Sequence, residues 1–189
     1  DITAGEAAKF IGKNTPYYLR IFSFINKFKK SRFNFSAFIL SGIYFLYRKM
    51  YGLGVLFSAL VLGSMVGSAY ISSLPAWKSI YTGIVQAQQS GQVLSFNNFF
   101  GLSPTEFLLF ISPLLANAVS LIVMVISGLI ANKCYYSHSV KKIKKIKSTT
   151  NKELLNEALE TKGGVNLPIA VSVAFAFLVV NYLPMFLMM

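Results

Sequence analysis

Three long stretches without a single charged side chain constrain this chain more than anything else in it. Residues 51–74, 107–131 and 167–189 run for 24, 25 and 23 positions with no Asp, Glu, Lys or Arg. At 1.5 Å per helical residue, each reaches roughly 34 Å or more, enough to cross a hydrocarbon core about 30 Å thick. A water-soluble domain of 189 residues could not cover so much apolar surface: 54% of the chain is hydrophobic and only 13% charged, against about 25% charged in an average soluble domain. Mean hydropathy is +0.57. The bilayer is therefore the expected solvent, which excludes most cytosolic enzyme classes.

A fourth apolar stretch, residues 35–47, has 13 positions and reaches only about 20 Å as a helix. Charge decides whether it crosses. Before it stand seven basic residues, Lys9, Lys13, Arg20, Lys27, Lys29, Lys30 and Arg32. Residues 132–166 carry eight lysines, whereas residues 75–106 carry one basic residue, Lys78. The excess of Lys and Arg on cytoplasmic segments puts the first two of these regions inside and the third outside. Three crossings satisfy that arrangement. A fourth, through 35–47, would place seven positive charges outside. That segment is expected to enter the inner leaflet as a half-helix or to lie along it, with Arg48 and Lys49 at the interface.

The expected fold is thus all-α and integral to the membrane, with three transmembrane helices, one short half-inserted or interfacial helix, and amphipathic flanking helices. Residues 1–34 form cytoplasmic amphipathic helices and 35–189 the membrane domain, with an outer segment at 75–106 and a basic cytoplasmic segment at 132–166. Thr3 and Glu6 have capping-box spacing for a helix that Gly12 stops. Thr15-Pro16 restarts one, with Thr15 as cap and Pro16 at its first position. In that second helix Tyr18, Ile21, Phe22, Ile25 and Phe28 share a face, which either lies at a membrane surface or packs on another helix. Outside, Trp77, Ile80, Tyr81, Ile84 and Val85 mark a helix that Gly91 could end, with Gln86, Gln88, Gln89 and Gln92 as its polar face. Ser103-Pro104-Thr105-Glu106 launches the second long span as a capping box. Thr150 and Glu153 have the same spacing for a helix that Gly163-Gly164 stops, and Pro168 opens the last span. No signal peptide is visible in residues 1–34, where Lys and Arg recur throughout.

Several motifs together resemble a known family. They are Glu6-Ala7-Ala8-Lys9-Phe10-Ile11-Gly12-Lys13-Asn14 with Tyr17-Tyr18, then Phe33-Asn34-Phe35-Ser36-Ala37-Phe38, then Tyr44-Phe45-Leu46-Tyr47-Arg48-Lys49-Met50-Tyr51. The stretch Gly128-Leu129-Ile130-Ala131-Asn132-Lys133-Cys134-Tyr135-Tyr136-Ser137-His138 ahead of the lysines completes the set. They resemble the bacterial membrane family catalogued as domain of unknown function 2628, over roughly residues 6–147. The resemblance implies a bacterial cell membrane protein and supplies no reaction. Members often carry a zinc ribbon before this region, and Asp1 begins just after where one would sit.

The chemistry available is sparse. One cysteine, Cys134, and one histidine, His138, cannot build a zinc site alone. They fall four apart, on one helical face, where an isolated thiol beside an aromatic pair reads as packing rather than as a nucleophile and base. Glu153, Glu157 and Glu160 read as a solvated face. No catalytic, cofactor-binding or metal-binding residue is assigned, and no cofactor is expected. The spans hold no ionisable acid or base of the kind that marks a proton path; Asn117 and Asn181 read as glue between helices. Ala59, Gly63 and Gly67, spaced by four, suit close helix packing, against another span of the chain in preference to a second protomer. Lys141, Lys142, Lys144, Lys145 and Lys147 follow a span directly, with Val140, Ile143 and Ile146 between them to dip into the interface. With Arg48 and Lys49, which could pair with phosphate or with carbonyls at helix C-termini, these lysines are the candidate contacts for anionic lipid headgroups. Nucleic acid would need stacking or base-reading groups among the charges, and none is placed there. The function expected is a non-enzymatic multi-pass protein, N-terminus cytoplasmic, that binds anionic lipid or a partner, in a homo- or hetero-oligomer or alone. A channel or transporter subunit is the second reading, and a membrane-embedded lipid-modifying enzyme the third.

Overall fold

A computed structural model describes residues 2–90 and 101–187, and all regular structure among them is helical. In chain order the helices are α1 (Ala4–Ile11), α2 (Thr15–Phe28), α3 (Phe35–Leu40), α4 (Gly42–Tyr47), α5 (Tyr51–Ser73), α6 (Pro75–Gln89), α7 (Pro104–Thr149), α8 (Leu155–Lys162) and α9 (Leu167–Leu187). Three of them, α5, α7 and α9, are long and apolar enough to cross a membrane. Their large side chains stand exposed, Tyr70 at 67%, Leu114 at 70% and Phe175 at 66%. In water so much open apolar surface would drive aggregation, whereas a bilayer suits it. Gly91 and Gln92 of the outer segment, and the last two positions of the final apolar stretch, lie outside the described residues.

The chain forms two compact units, residues 1–59 with 123–189, and residues 60–122. The second unit contains α6 and parts of α5 and α7. Ser64 and Ser120 share a hydrogen bond across those two helices, and Asn117 Nδ2 donates to Ser68 Oγ at 3.3 Å. Pro113 sits inside α7 and offers no N–H to the carbonyl of Leu109. Ser112 Oγ donates to that carbonyl at 2.7 Å instead. On α6, Trp77 stacks on Tyr81 at 5.0 Å and donates through Nε1 to the Phe110 carbonyl at 3.2 Å. Ser103 and Glu106 cap α7 reciprocally: the Ser103 N–H reaches Glu106 Oε2 at 2.8 Å and the Glu106 N–H reaches Ser103 Oγ at 3.3 Å.

In the first unit, α1 carries its capping box between Thr3 and Glu6 and ends at Gly12, whose φ of 64° favours glycine. Helix α2 begins one residue earlier than the Thr15 cap reading has it. Asn14 precedes it in a left-handed conformation, and the Thr15 hydroxyl turns back to donate to the Gly12 carbonyl. Tyr18, Ile21, Phe22 and Ile25 are buried, so this face of α2 packs inside the unit; Phe28, placed on it by spacing alone, is 52% exposed. The short apolar stretch is not one half-helix. It breaks at Ser41, φ 44° and ψ −119°, into α3 and α4. Helix α4 is mostly buried through Tyr44, Phe45 and Leu46, whereas α3 leaves Phe35 and Ile39 at 70% and 61% exposure. Helix α7 continues 18 residues past position 131 before ending at Thr149, about 27 Å of rod beyond the apolar stretch. Helix α8 starts at Leu155 without a Thr150 cap and does stop at Gly163. Asn166 caps α9 through Oδ1 on the Ile169 N–H, and its own N–H donates to the Tyr47 carbonyl at 2.8 Å.

Close backbone approach in this unit rests on glycines other than the spaced-by-four set. A methyl group at Gly42 would strike the backbone N of Ser58 and the carbonyl of Gly54; one at Gly163 would strike the Phe10 carbonyl. At Gly63 and Gly67 it would meet nothing. Among the described residues, close packing of α5 therefore does not run over Gly63 and Gly67, and Ala59 is exposed. The contacts fall instead on the serine row one position along, Ser64 and Ser68. Gly42→Ala should lower the stability of the detergent-solubilised protein by about 1–3 kcal/mol, since backbone atoms cannot give way. Gly63→Ala should leave it unchanged or raise it by up to about 1 kcal/mol. Circular-dichroism melts of both variants check the contrast.

Candidate functional site

The segment from Tyr44 to Tyr51 joins α4 to α5, and its two cations go to different places. Arg48 is 4% exposed. Its guanidinium lies 4.2 Å from the ring centre of Tyr18, 5.0 Å from that of Tyr135 and 5.4 Å from that of Tyr47. Nη1 and Nη2 donate to the Lys13 carbonyl at 3.2 and 3.3 Å, in the turn between α1 and α2. No carboxylate pairs with it among the described residues. The plane of the guanidinium suits this sandwich of rings and carbonyl, and the point charge of a lysine does not.

A polar seam continues from this cation. Tyr18 and Tyr44 share a hydroxyl hydrogen bond of 3.0 Å. Asn34 Nδ2 donates to the Tyr44 hydroxyl at 3.1 Å and to Asn132 Oδ1 at 2.8 Å, while Asn34 Oδ1 caps α3 on the Ala37 N–H at 3.0 Å. Asn132 Nδ2 donates to the Arg32 carbonyl at 3.0 Å, and the Asn34 N–H reaches the Gly128 carbonyl at 2.8 Å. Asn34 and Asn132 are 3% and 0% exposed. Burial, first of all, holds the Tyr44 hydroxyl far above its ordinary pKa, so it stays protonated.

Lys49 takes φ 59°, a left-handed conformation rare for a β-carbon-bearing residue. The turn aims Nζ at the carbonyls of Thr161 and Gly163, at the C-terminus of α8. There a cation meets the negative end of a helix dipole. The structure thus places Arg48 inside the unit and Lys49 on a helix end.

The remaining candidate lysines ride on the extension of α7. Lys141, Lys142, Lys144 and Lys145 are exposed. Lys147 is half-exposed and pairs with Glu6 at 2.7 Å. That ammonium, with the Thr3 N–H, holds the Glu6 carboxyl below its ordinary value. Ile143 and Ile146, at 1% and 3% exposure, are packed in the protein and do not dip into an interface. Ile143 lines a cleft with Ala4, Ala7 and Phe22 of α1 and α2. The other side of the same helix presents His138, Lys142, Lys145 and Thr149, spaced four, three and four, to an open cleft of about 560 Å³. Lys49, Tyr51, Ile146, Lys162 and Asn166 complete its wall. Sequence spacing alone exposes the His138-to-Thr149 stripe. Nothing in the sequence brings Lys162 or Asn166 to it, because that depends on how Gly163-Gly164 folds back onto Phe10.

Cys134 and His138 sit one turn apart and line an adjoining opening with Met50, Leu53, Lys141 and Lys142. Among the described residues, no three of His, Cys, Asp and Glu cluster as a metal site would require. What the arrangement offers chemically is fixed positive charge and hydrogen-bond donors.

Residues 8–141 match the model of a family described as a protein of unknown function (DUF2628). No curated protein and no solved structure matches the chain.

Arg48→Lys should keep the charge and lose the stacked plane and one of two donors. Its expected cost is about 2–3 kcal/mol of unfolding free energy, from desolvated cation–π contact and a charge-assisted hydrogen bond. Chemical unfolding in detergent measures it. A variant as stable as the parent would show that the rings do not hold the cation.

Proposed function

The chain belongs to the DUF2628 family, and we propose that it is a non-enzymatic bacterial cell-membrane protein whose basic cytoplasmic face binds anionic lipid headgroups. In this reading α5, α7 and α9 cross the bilayer and the N-terminus is cytoplasmic. The asymmetry of seven and eight basic residues against one in residues 75–106 supports the orientation. Helix α3 lies in the inner leaflet: its exposed Phe35 and Ile39 form an apolar face of the kind that settles into the acyl boundary.

One observation carries the binding reading. Lys141, Lys142, Lys144 and Lys145 stand exposed on a helix continuous with a membrane-crossing one, while the apolar residues between them are used in packing. The lysines therefore project from a fixed rod and not from a loose tail. Each lysine near an anionic surface contributes about 1 kcal/mol, less what salt screens. Uncompensated lysines on a rigid scaffold lose little ordering entropy when they meet a charged surface.

The test replaces Lys141, Lys142, Lys144 and Lys145 together by Gln in the full chain, after thiol labelling of a cysteine at Ser148 in a Cys134→Ser background confirms a cytoplasmic location. Lipid recovered with the purified protein should fall severalfold for phosphatidylglycerol and stay constant for phosphatidylethanolamine. Equal recovery of both lipids from the parent and the variant would contradict the reading.

A further inference from the structure

We propose that the cleft between α7, the α4–α5 junction and the α8–α9 junction holds one anionic phospholipid, by a headgroup bearing two phosphates. This rests on the reading that the basic face meets the inner leaflet, and it turns a diffuse charge into a defined site.

The charge in the cleft is one-sided. Lys49, Lys142, Lys145 and Lys162 line it with Tyr51, His138, Ile146, Thr149 and Asn166, and among the described residues no carboxylate does. Four ammonium groups this close raise one another's free energy unless an anion joins them. Lys49 is already spent on the Thr161 and Gly163 carbonyls. Lys142, Lys145 and Lys162 have no ion-pair partner among the described residues. The Tyr51 hydroxyl accepts from Asn166 Nδ2 at 3.0 Å, which leaves its proton to donate. Three free ammonium groups and a phenol exceed what one phosphodiester charge can satisfy, and they suit two. Charge-assisted hydrogen bonds to phosphate oxygens are the strong kind.

Position argues for a lipid over a soluble anion. The lysines begin about 15 Å along the helix past residue 131, which by itself would carry them beyond the headgroups. The cleft instead sets Lys142 beside Tyr51, the first residue of α5, and Asn166, the cap of α9. Both mark the point where a membrane helix begins. The cleft also shares Lys49, Tyr51, His138 and Lys142 with the adjoining opening, where Met50, Leu53 and Cys134 stand. The wall thus passes from ammonium groups to apolar side chains, the order in which a phospholipid passes from headgroup to acyl chain. Basic pockets between membrane helices on the cytoplasmic side hold multiply charged headgroups for this reason.

Native mass spectrometry of the full chain in a non-ionic detergent tests it, with titrations of cardiolipin, phosphatidylglycerol, phosphatidylcholine and inorganic pyrophosphate. The parent should retain one cardiolipin, more tightly than phosphatidylglycerol, and no phosphatidylcholine. Lys142→Gln with Lys162→Gln should weaken cardiolipin binding about tenfold or more, as expected when charge-assisted contacts are lost. Lys30→Gln with Lys133→Gln removes the same charge away from the cleft and should change it by less than about twofold. Unchanged helicity and melting temperature confirm that both variants are folded. Equal weakening by the two pairs would overturn the cleft and leave the basic-face reading intact. Failure of the parent to retain any anionic lipid would overturn both. Displacement of cardiolipin by pyrophosphate at matched concentration would show that the cleft takes a soluble diphosphate, and would overturn the lipid assignment.

Discussion

A guanidinium with no acid to neutralise it among the described residues lies inside the unit formed by residues 1–59 and 123–189, and much of the packing there follows from keeping that charge company. Removing an ion from water costs several kcal/mol even after relaxation. Arg48 recovers part of it from the Lys13 carbonyl and the faces of Tyr18, Tyr47 and Tyr135, while its buried Nε has no hydrogen-bond partner among the described residues. Those partners come from the α1–α2 turn, α2, α4 and α7. One side chain therefore draws together the amphipathic N-terminal helices, the broken short segment and the extension of a membrane-crossing helix. The Asn34–Asn132 pair and the Tyr18–Tyr44 hydroxyls extend the same logic, each polar group closing on another inside an apolar surround.

The arrangement leaves the lysines of α7 divided between two jobs. Lys147 faces Glu6 and helps seat α1. Lys142 and Lys145 face the cleft, joined there by Lys49 and Lys162. Because Ile143 and Ile146 are buried, the helix cannot roll to bring all its lysines to one surface, so the sides keep separate roles. A basic run that would pass for a simple topology signal is thereby made into a shaped, one-sided field next to the starts of α5 and α9.

The sequence makes the membrane helices, the capping boxes at Thr3 and Ser103 and the stops at Gly12 and Gly163 legible, because each follows from local rules of length, charge and backbone chemistry. The break at Ser41 is not legible: serine has no special claim on φ 44°, and the break follows from Gly42 packing on Ser58 and Gly54. Ile143 and Ile146 mislead for a related reason, since three-residue spacing shows that they share a face and not what covers it. Gly63 and Gly67 have the spacing for helix contact, yet within the chain the neighbouring serines make it. Arg48 and Lys49, adjacent and both basic, read alike in sequence; the left-handed turn at Lys49 sends them to opposite fates. In each case the deciding information is long-range.

Residues 35–47 pack against α7 through a buried contact between Ser41 and Ser127. Ser41 Oγ and Ser127 Oγ lie 3.1 Å apart, at 5% and 0% exposure, and stand 86 positions apart in the chain. Cysteines at both positions, in a Cys134→Ser background, should close to a disulfide on mild oxidation in native membranes, with most of the chain shifted on a non-reducing gel. Two thiols that stay free, or a disulfide only between separate copies of the chain, would contradict that packing.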